Sequence, residues 1–168
     1  RTDFFDCKPR RMLCVAPEPA LDAKFRSLLG DSYLSAGLSG SLAMVRMDIT
    51  NIEFPDESFD VIYCSHVLEH VVDDRKAMRE FCRVLKRNGW AILLVPVEPG
   101  PTYEDPSIVE PQARLKAFGK EDHVRVYGDD YVDRLRESGF SVQVTPPEAL
   151  VGPADIERYG LRAGRGAI

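Results

Sequence analysis

The chain lacks long apolar runs and blocks of basic residues. Its longest apolar run, residues 90–97, contains Pro96 and is far shorter than the roughly 20 residues of a membrane-spanning helix, so we expect no membrane partner. The net charge is −5, with 22 basic and 27 acidic side chains. Because neutralised phosphates supply most of the affinity of nucleic-acid binders, this balance argues against a nucleic-acid partner.

Cysteines are few and lie far apart along the chain. Cys7, Cys14, Cys64 and Cys82 have neither the close spacing of a zinc knuckle nor that of a redox pair. The last three lie among apolar residues, where a free thiol behaves as a small hydrophobic group. The pattern indicates reduced cysteines and a cytoplasmic protein.

Length and composition favour a single globular domain. The chain has 168 residues, of which 44% are hydrophobic and 29% charged, so disorder is excluded and we expect one domain over 1–168. It opens at Arg1 among polar residues, and we expect a segment that is trimmed from a longer protein.

Short apolar segments alternate with amphipathic helical ones. The clearest helix lies between the acidic pair at 73–74 and the Asn-Gly pair at 88–89, with Met78, Phe81 and Leu85 on one face. Such alternation predicts an α/β fold with a doubly wound, mostly parallel sheet and helices on both faces. Its ligands bind at the carboxyl ends of the strands. The predicted strands are residues 12–16, 33–38, 43–49, 59–64, 90–97 and 140–145.

Residues 52–97 resemble the class I S-adenosylmethionine-dependent methyltransferases of the type 11 group. The likeness rests on FPDESFD at 54–60, SHVLEHV at 65–71 and RVLKRNGW at 83–90. It implies a Rossmann-like sheet of six or seven strands. It also implies S-adenosylmethionine as the methyl donor and S-adenosylhomocysteine as the product.

The resemblance also implies which residues line the cofactor, and two positions depart from the family pattern. After the first strand, where the family has a glycine-rich loop, the chain has Ala16, Pro17 and Glu18. Glu18 either meets the cofactor's ammonium or faces solvent. Gly37 stands where the family often has an acid that accepts hydrogen bonds from the ribose.

Other implied cofactor residues follow the family pattern. Asp48 matches the residue that reads the adenine amino group, and the alternative is that it only caps a turn. Ile49 matches the residue that covers the adenine ring, while Ser65 and His66 match the lining of the cofactor site at the end of the fourth strand.

The proline-rich segment 98–128 is expected to be an inserted loop on the acceptor side. Because imidazole titrates near neutrality, His123 is the candidate catalytic base, and the alternative is a hydrogen-bonded surface cluster. Glu121 or Asp122 would orient His123, and Arg125 would bind an acidic acceptor. Tyr103 and Tyr127 are candidates for the lining of the acceptor pocket.

A competing motif is H-x-x-E-H, formed by His66, Glu69 and His70, which is the motif of inverted zinc peptidases. It begins at a strand end rather than inside a long helix, and no sequence pattern supplies a third ligand. We therefore predict no metal site and expect Glu69 and His70 to be structural.

The expected function is methyl transfer from S-adenosylmethionine to a small-molecule oxygen, nitrogen or carbon by direct displacement. The alternative is a non-catalytic protein of the same fold with weak or lost cofactor binding, for which Ala16 and Gly37 argue. A nicotinamide enzyme would need G-x-G-x-x-G after the first strand, and APEPAL does not provide it.

Two features of the family that border the cofactor site, a seventh strand and an N-terminal lid, are not evident at the ends of the sequence. Only residues 161–168 could supply a seventh strand, so either the sheet stops at six strands or the chain ends before the seventh. Few residues precede Met12 to form a lid. We expect a partly open cleft, or one that a second subunit completes in a homo-oligomer.

Overall fold

Five parallel strands form the central sheet of the computed structural model, which describes residues 10–38 and 42–159. Their order is β3-β2-β1-β4-β5, so the direction of winding reverses between β1 and β4. This reversal creates a crevice at the carboxyl edge of the sheet. The strands are β1 (Met12–Val15), β2 (Tyr33–Gly37), β3 (Val45–Arg46), β4 (Phe59–Ser65) and β5 (Leu85–Leu94).

Helices connect and flank these strands, and two short strands pair in a separate antiparallel sheet. Within 98–128, the chain forms one helix and both of these short strands. None of the described helices is long and apolar enough to cross a bilayer. The elements are α1 (Pro19–Leu29), α2 (Asp74–Val84), β6 (Tyr103–Glu104), α3 (Pro111–Phe118), β7 (Arg125–Val126), α4 (Tyr131–Glu137), α5 (Pro147–Leu150) and α6 (Pro153–Tyr159).

The doubly wound parallel fold is confirmed, and the number of strands is corrected. Residues 140–145 form no strand, although Phe140 and Val142 still pack against the core. These two residues are only partly buried and Val144 is exposed, so the apolar pattern of the segment does not correspond to a strand in the sheet. The candidate seventh strand, 161–168, lies outside the described residues.

Both faces of β1 are buried, which explains its uninterrupted apolar sequence. Leu13 and Val15 belong to the larger core, together with the buried face of α2. Met12 and Cys14 belong to a second cluster that includes Phe25 of α1. Burial also raises the pKa of the Cys14 thiol, which keeps it protonated.

Helix α2 begins and ends for separate reasons. The Asp73 side chain accepts a hydrogen bond from the Lys76 amide (2.9 Å), which caps the first turn. The helix ends at Val84, earlier than its basic end at 86–87 suggests, because Leu85 already pairs with Phe59 in the sheet. An apolar residue at 85 fits both the helical and the strand pattern, so the sequence alone does not separate them.

Candidate functional site

A cavity of about 600 Å³ opens at the carboxyl edge of the sheet. The ends of β1 and β2 contribute residues 15–16 and 37–38, and the segment after β3 contributes 47–50. The connection from β4 to α2 closes another side with residues 66–67 and 70–73. The cavity therefore lies where the winding of the sheet reverses, as the fold class predicts.

Five of the eight residues that the resemblance assigned to the cofactor line this cavity: Ala16, Gly37, Asp48, Ile49 and His66. The other three lie next to it rather than in its wall. Pro17 and the exposed Glu18 lead into α1, and Ser65 is buried at the end of β4. The structure brings these segments together, while the role of each residue in binding remains a prediction.

Two cavity residues adopt a left-handed backbone that side chains disfavour. Ala16 has φ 50° and His66 has φ 55°. Each amide is held by the neighbouring strand, with Ala16 donating to the Ala36 carbonyl (2.8 Å) and His66 to the Leu94 carbonyl (2.9 Å). The loop after β1 thus has the backbone form that a glycine normally supplies, although the residue is alanine. Such strain is typical of functional sites.

Asp48 forms a tight turn with Thr50 at the rim of the cavity. Its Oδ1 accepts hydrogen bonds from the Thr50 amide and hydroxyl, both 2.8 Å long. These hydrogen bonds lower the pKa of Asp48, so it is charged at neutral pH. Asp48 therefore does cap a turn, which was the alternative to its role in binding the adenine. Next to it, Ile49 is buried and forms an apolar wall.

The charged residues of the cavity wall are acidic. Asp48 and Asp73 line it, and no lysine or arginine does among the described residues. Most of the remaining wall is aliphatic, including Met47, Val67 and Val71. A ligand with an apolar ring and a positive charge would match this surface.

Arg125 holds the wall of the cavity in place from behind. Its buried guanidinium donates to the carbonyl groups of Leu68 (2.9 Å), Val71 and Val72 (2.8 Å). Its Nε also donates to Glu104 (2.9 Å). The expectation that Arg125 binds an acidic acceptor is wrong, because the guanidinium is buried against these groups.

The two tyrosines of this segment do not line the cavity either. Tyr127 is fully buried, and its hydroxyl donates to Asp74 (2.7 Å), while burial raises the pKa of its phenol. Tyr103 is half exposed and packs against Phe118. Both tyrosines therefore stabilise the fold around the site.

His123 lies behind the cavity wall rather than in it. It is buried against His70, with ring centroids 4.6 Å apart, and burial together with the proximity of His70 lowers its pKa. The expected orienting acids contact other groups: Asp122 approaches Nδ1 of His70 (3.2 Å), and Glu121 accepts from Gln112 (2.8 Å). The imidazoles that line the cavity are those of His66 and His70.

Several lining residues were missed by the sequence analysis. Met47 and Thr50 flank the Asp48–Ile49 pair, and their position at a strand end was an available signal. Residues 70–73 include the last two residues of the SHVLEHV motif and the two that follow it, so the same argument applied to them. No local pattern pointed to the structural role of Arg125, because the carbonyl groups that it contacts lie far away in the sequence.

Comparison with known proteins identifies the family. A family model described as "Methyltransferase domain" matches residues 6–93, just over half of the chain. The chain belongs to this methyltransferase domain family. The matched region contains all the segments that line the cavity.

Individual relatives of this methyltransferase domain match over shorter stretches. It is 40% identical over 75 residues to the uncharacterized methyltransferase YcgJ of Bacillus subtilis, covering 45% of this chain and 28% of the relative. It is 34% identical over 70 residues to the ubiquinone/menaquinone biosynthesis C-methyltransferase UbiE of Ectopseudomonas mendocina, covering 42% and 27%. The alignments thus span little more than a quarter of these relatives.

A solved structure shows the same fold. The S-adenosylmethionine dependent methyltransferase from Mesorhizobium loti superposes with a TM-score of 0.64 at 14% identity, covering 96% of this chain and 90% of that one. At this identity the likeness establishes the fold.

Proposed function

We propose that this methyltransferase domain binds S-adenosylmethionine in the cavity and transfers its methyl group to a small-molecule acceptor. The observation that carries the proposal is the pair formed by Asp48 and Ile49 at the rim of an apolar cavity. Thr50 engages one carboxylate oxygen of Asp48, which leaves the other to accept from an adenine amino group. Ile49 provides the apolar surface for the ring.

The size and charge of the cavity support the same ligand. A volume of about 600 Å³ lies within the usual range for small-molecule sites. S-adenosylmethionine brings an activated methyl group on a positively charged sulfur, and the wall offers Asp48 and Asp73 with no lysine or arginine among the described lining residues. The aliphatic wall would exclude water from the reacting atoms, and correct orientation of donor and acceptor can lower a reaction barrier by roughly 7–11 kcal/mol.

The acceptor side is proposed to be the wall formed by residues 70–73, beside the segment 98–128. Val71 and Val72 present apolar surface there, and Val72 is largely exposed. UbiE, a C-methyltransferase of quinone biosynthesis, gives a precedent for a small-molecule acceptor. Where the acceptor must lose a proton, we place that role on His66, because its imidazole lines the cavity and His123 does not.

Thermal unfolding with added nucleotides tests cofactor binding. S-adenosylhomocysteine at 100 times its dissociation constant is expected to raise Tm by roughly 5–11 °C for a domain of this size. NAD serves as the control and should leave Tm unchanged. An equal rise with NAD, or none with millimolar S-adenosylhomocysteine, would contradict the proposal.

A second candidate is a non-catalytic domain of the same fold. The absence of a carboxylate at Gly37 and the methyl group of Ala16 favour it, since both weaken contact with a nucleoside. Release of S-adenosylhomocysteine on incubation with a panel of phenols, quinols and amines would establish turnover. Binding without release across that panel would favour the non-catalytic protein.

A further inference from the structure

A buried carboxylate behind the cavity has no hydrogen-bond partner. Glu69 is only 2% exposed, and neither of its side-chain oxygens is hydrogen-bonded within the described part of the chain. Nδ1 of His66 lies 3.4 Å from Oε1 of Glu69, without the geometry of a hydrogen bond. Burial of an unpaired carboxylate is costly, so the position calls for a partner that is not a side chain of this region.

A second unpartnered group lies beside it. His123 is buried, and its Nε2 atom also lacks a hydrogen-bond partner among the described residues. The ring of His70 meets the ring of His123 edge to face, with centroids 4.6 Å apart. One ligand atom from each of Glu69, His70 and His123 lies within 4.8 Å of the others.

The orientation of His70 suits metal binding. Its Nδ1 lies 3.2 Å from Oδ2 of Asp122, which leaves Nε2 for another partner. A carboxylate on the far nitrogen of a histidine is the usual support for a metal-ligating imidazole, because it fixes the ring and increases its basicity.

The backbone holds these groups in place before any ion binds. Glu69 and His70 lie in the short turn Leu68–His70, whose Leu68 carbonyl accepts from Arg125. The Val124 amide, adjacent to His123, donates to the Glu69 carbonyl (2.9 Å). The two parts of the cluster are thereby tied to each other.

We propose that Glu69, His70 and His123 bind a divalent first-row transition metal, with zinc as the representative ion. Two imidazoles and one carboxylate form a ligand set typical of such ions. Ligand atoms on a tetrahedral zinc lie about 3.4 Å apart, given bonds of about 2.1 Å, so binding requires these atoms, now within 4.8 Å of one another, to move together by up to about 1.4 Å. The ion supplies the partner that Glu69 and His123 lack.

The proposed ligands differ from those of the H-x-x-E-H motif, in which His66 and His70 would bind zinc from one face of a helix. His66 has a left-handed backbone at the end of β4, so His66 and His70 do not share the face of a helix. His123, distant in sequence, takes the place that the motif gives to His66. The site is therefore visible only in the folded chain.

The test is metal binding to protein that has been stripped with a chelator. Calorimetric titration with zinc should show one ion per chain with micromolar or tighter affinity, and cobalt(II) should give the visible absorption of a bound ion. Glu69→Gln and His123→Gln should each weaken binding by more than about 100-fold, beyond the loss typical of an outer-shell substitution. Glu53→Gln makes the same change at an exposed carboxylate outside the cluster, so it is the matched control and should retain the wild-type affinity.

Thermal unfolding of the metal-free variants separates ligand loss from misfolding. Glu69→Gln should be about as stable as the wild type without metal, because it keeps the shape of the side chain and neither Glu69 oxygen has a hydrogen bond to lose among the described residues. Absence of zinc binding by the wild type, wild-type affinity in Glu69→Gln and His123→Gln, or an equal loss in Glu53→Gln would each overturn the proposal. None of these measurements requires S-adenosylmethionine, so they are independent of the proposed methyl transfer.

Discussion

Asp48 and Thr50 are joined by two hydrogen bonds to the same carboxylate oxygen, at the rim of the cavity. The turn fixes the carboxylate and keeps it ionised while its second oxygen remains available. Asp48 thus caps its own turn with one oxygen and can accept a hydrogen bond from a ligand with the other. Asp105 and Ser107 form the same kind of turn outside the cavity, with bonds of 2.9 and 2.7 Å.

Asp48→Asn is expected to weaken binding of S-adenosylhomocysteine about ten- to hundredfold. The amide oxygen preserves the turn, but an NH₂ group replaces the acceptor that faces the adenine, and a hydrogen bond to a charged group is worth about 1.5–3 kcal/mol. Calorimetric titration measures the change. Asp105→Asn is the matched control, because it alters the same turn away from the site; equal affinity in both variants would refute the role of Asp48.

Ala16→Gly is expected to raise the stability of the chain slightly and to tighten nucleotide binding. A left-handed backbone costs an L-residue roughly 1–2 kcal/mol, which glycine avoids, and the methyl group is removed from the cavity wall. Urea unfolding measures the stability. Ala23→Gly, in the exposed middle of α1, is the control and should destabilise by about 1 kcal/mol. A similar loss in both variants would show that Ala16 is unstrained.

Arg125→Met is expected to destabilise the chain by about 3–5 kcal/mol, because it leaves three carbonyl groups and Glu104 without their buried partner. Urea unfolding at neutral pH tests this prediction. Arg87→Met removes an exposed ion pair with Glu57 and should change stability by less than about 0.5 kcal/mol. Equal effects would mean that Arg125 does not support the wall.

Glu104 should contribute to stability only above acidic pH. The Arg134 guanidinium, followed by that of Arg125, lowers the pKa of Glu104 below its ordinary value of 4.5. Its contribution is therefore complete above pH 4.5 and is lost as the pH falls through the lower, folded-state pKa. Glu104→Gln should be less stable than wild type at neutral pH, and the difference should narrow in acid. Exposed Glu53→Gln should show no such difference; a constant gap for Glu104→Gln would contradict the prediction.

The parts of the fold that local sequence determines were predictable. Strand β1 is a continuous apolar segment, β4 is apolar apart from Asp60 and Ser65, and α2 has both an acidic start and a clear apolar face. The turn chemistry around Asp48 was also readable, since the acceptor and its donor are two residues apart.

The remaining features depend on contacts between distant segments. Arg125 was interpreted as a ligand-binding residue, because nothing near it in the sequence shows that its partners are carbonyl groups of the turn before α2. His123 and His70 meet only after β7 docks against that turn. Residues 140–145 have the composition of a strand but find no sheet partner.

Hydrogen–deuterium exchange with and without S-adenosylhomocysteine tests the central claim most directly, because it locates the ligand on the chain. Slower exchange is expected in peptides covering residues 15–16, 47–50 and 66–73, which line the cavity, and no change in α3, which does not. Unchanged exchange throughout at saturating ligand, or protection confined to peptides outside these segments, would contradict binding of the cofactor in this cavity.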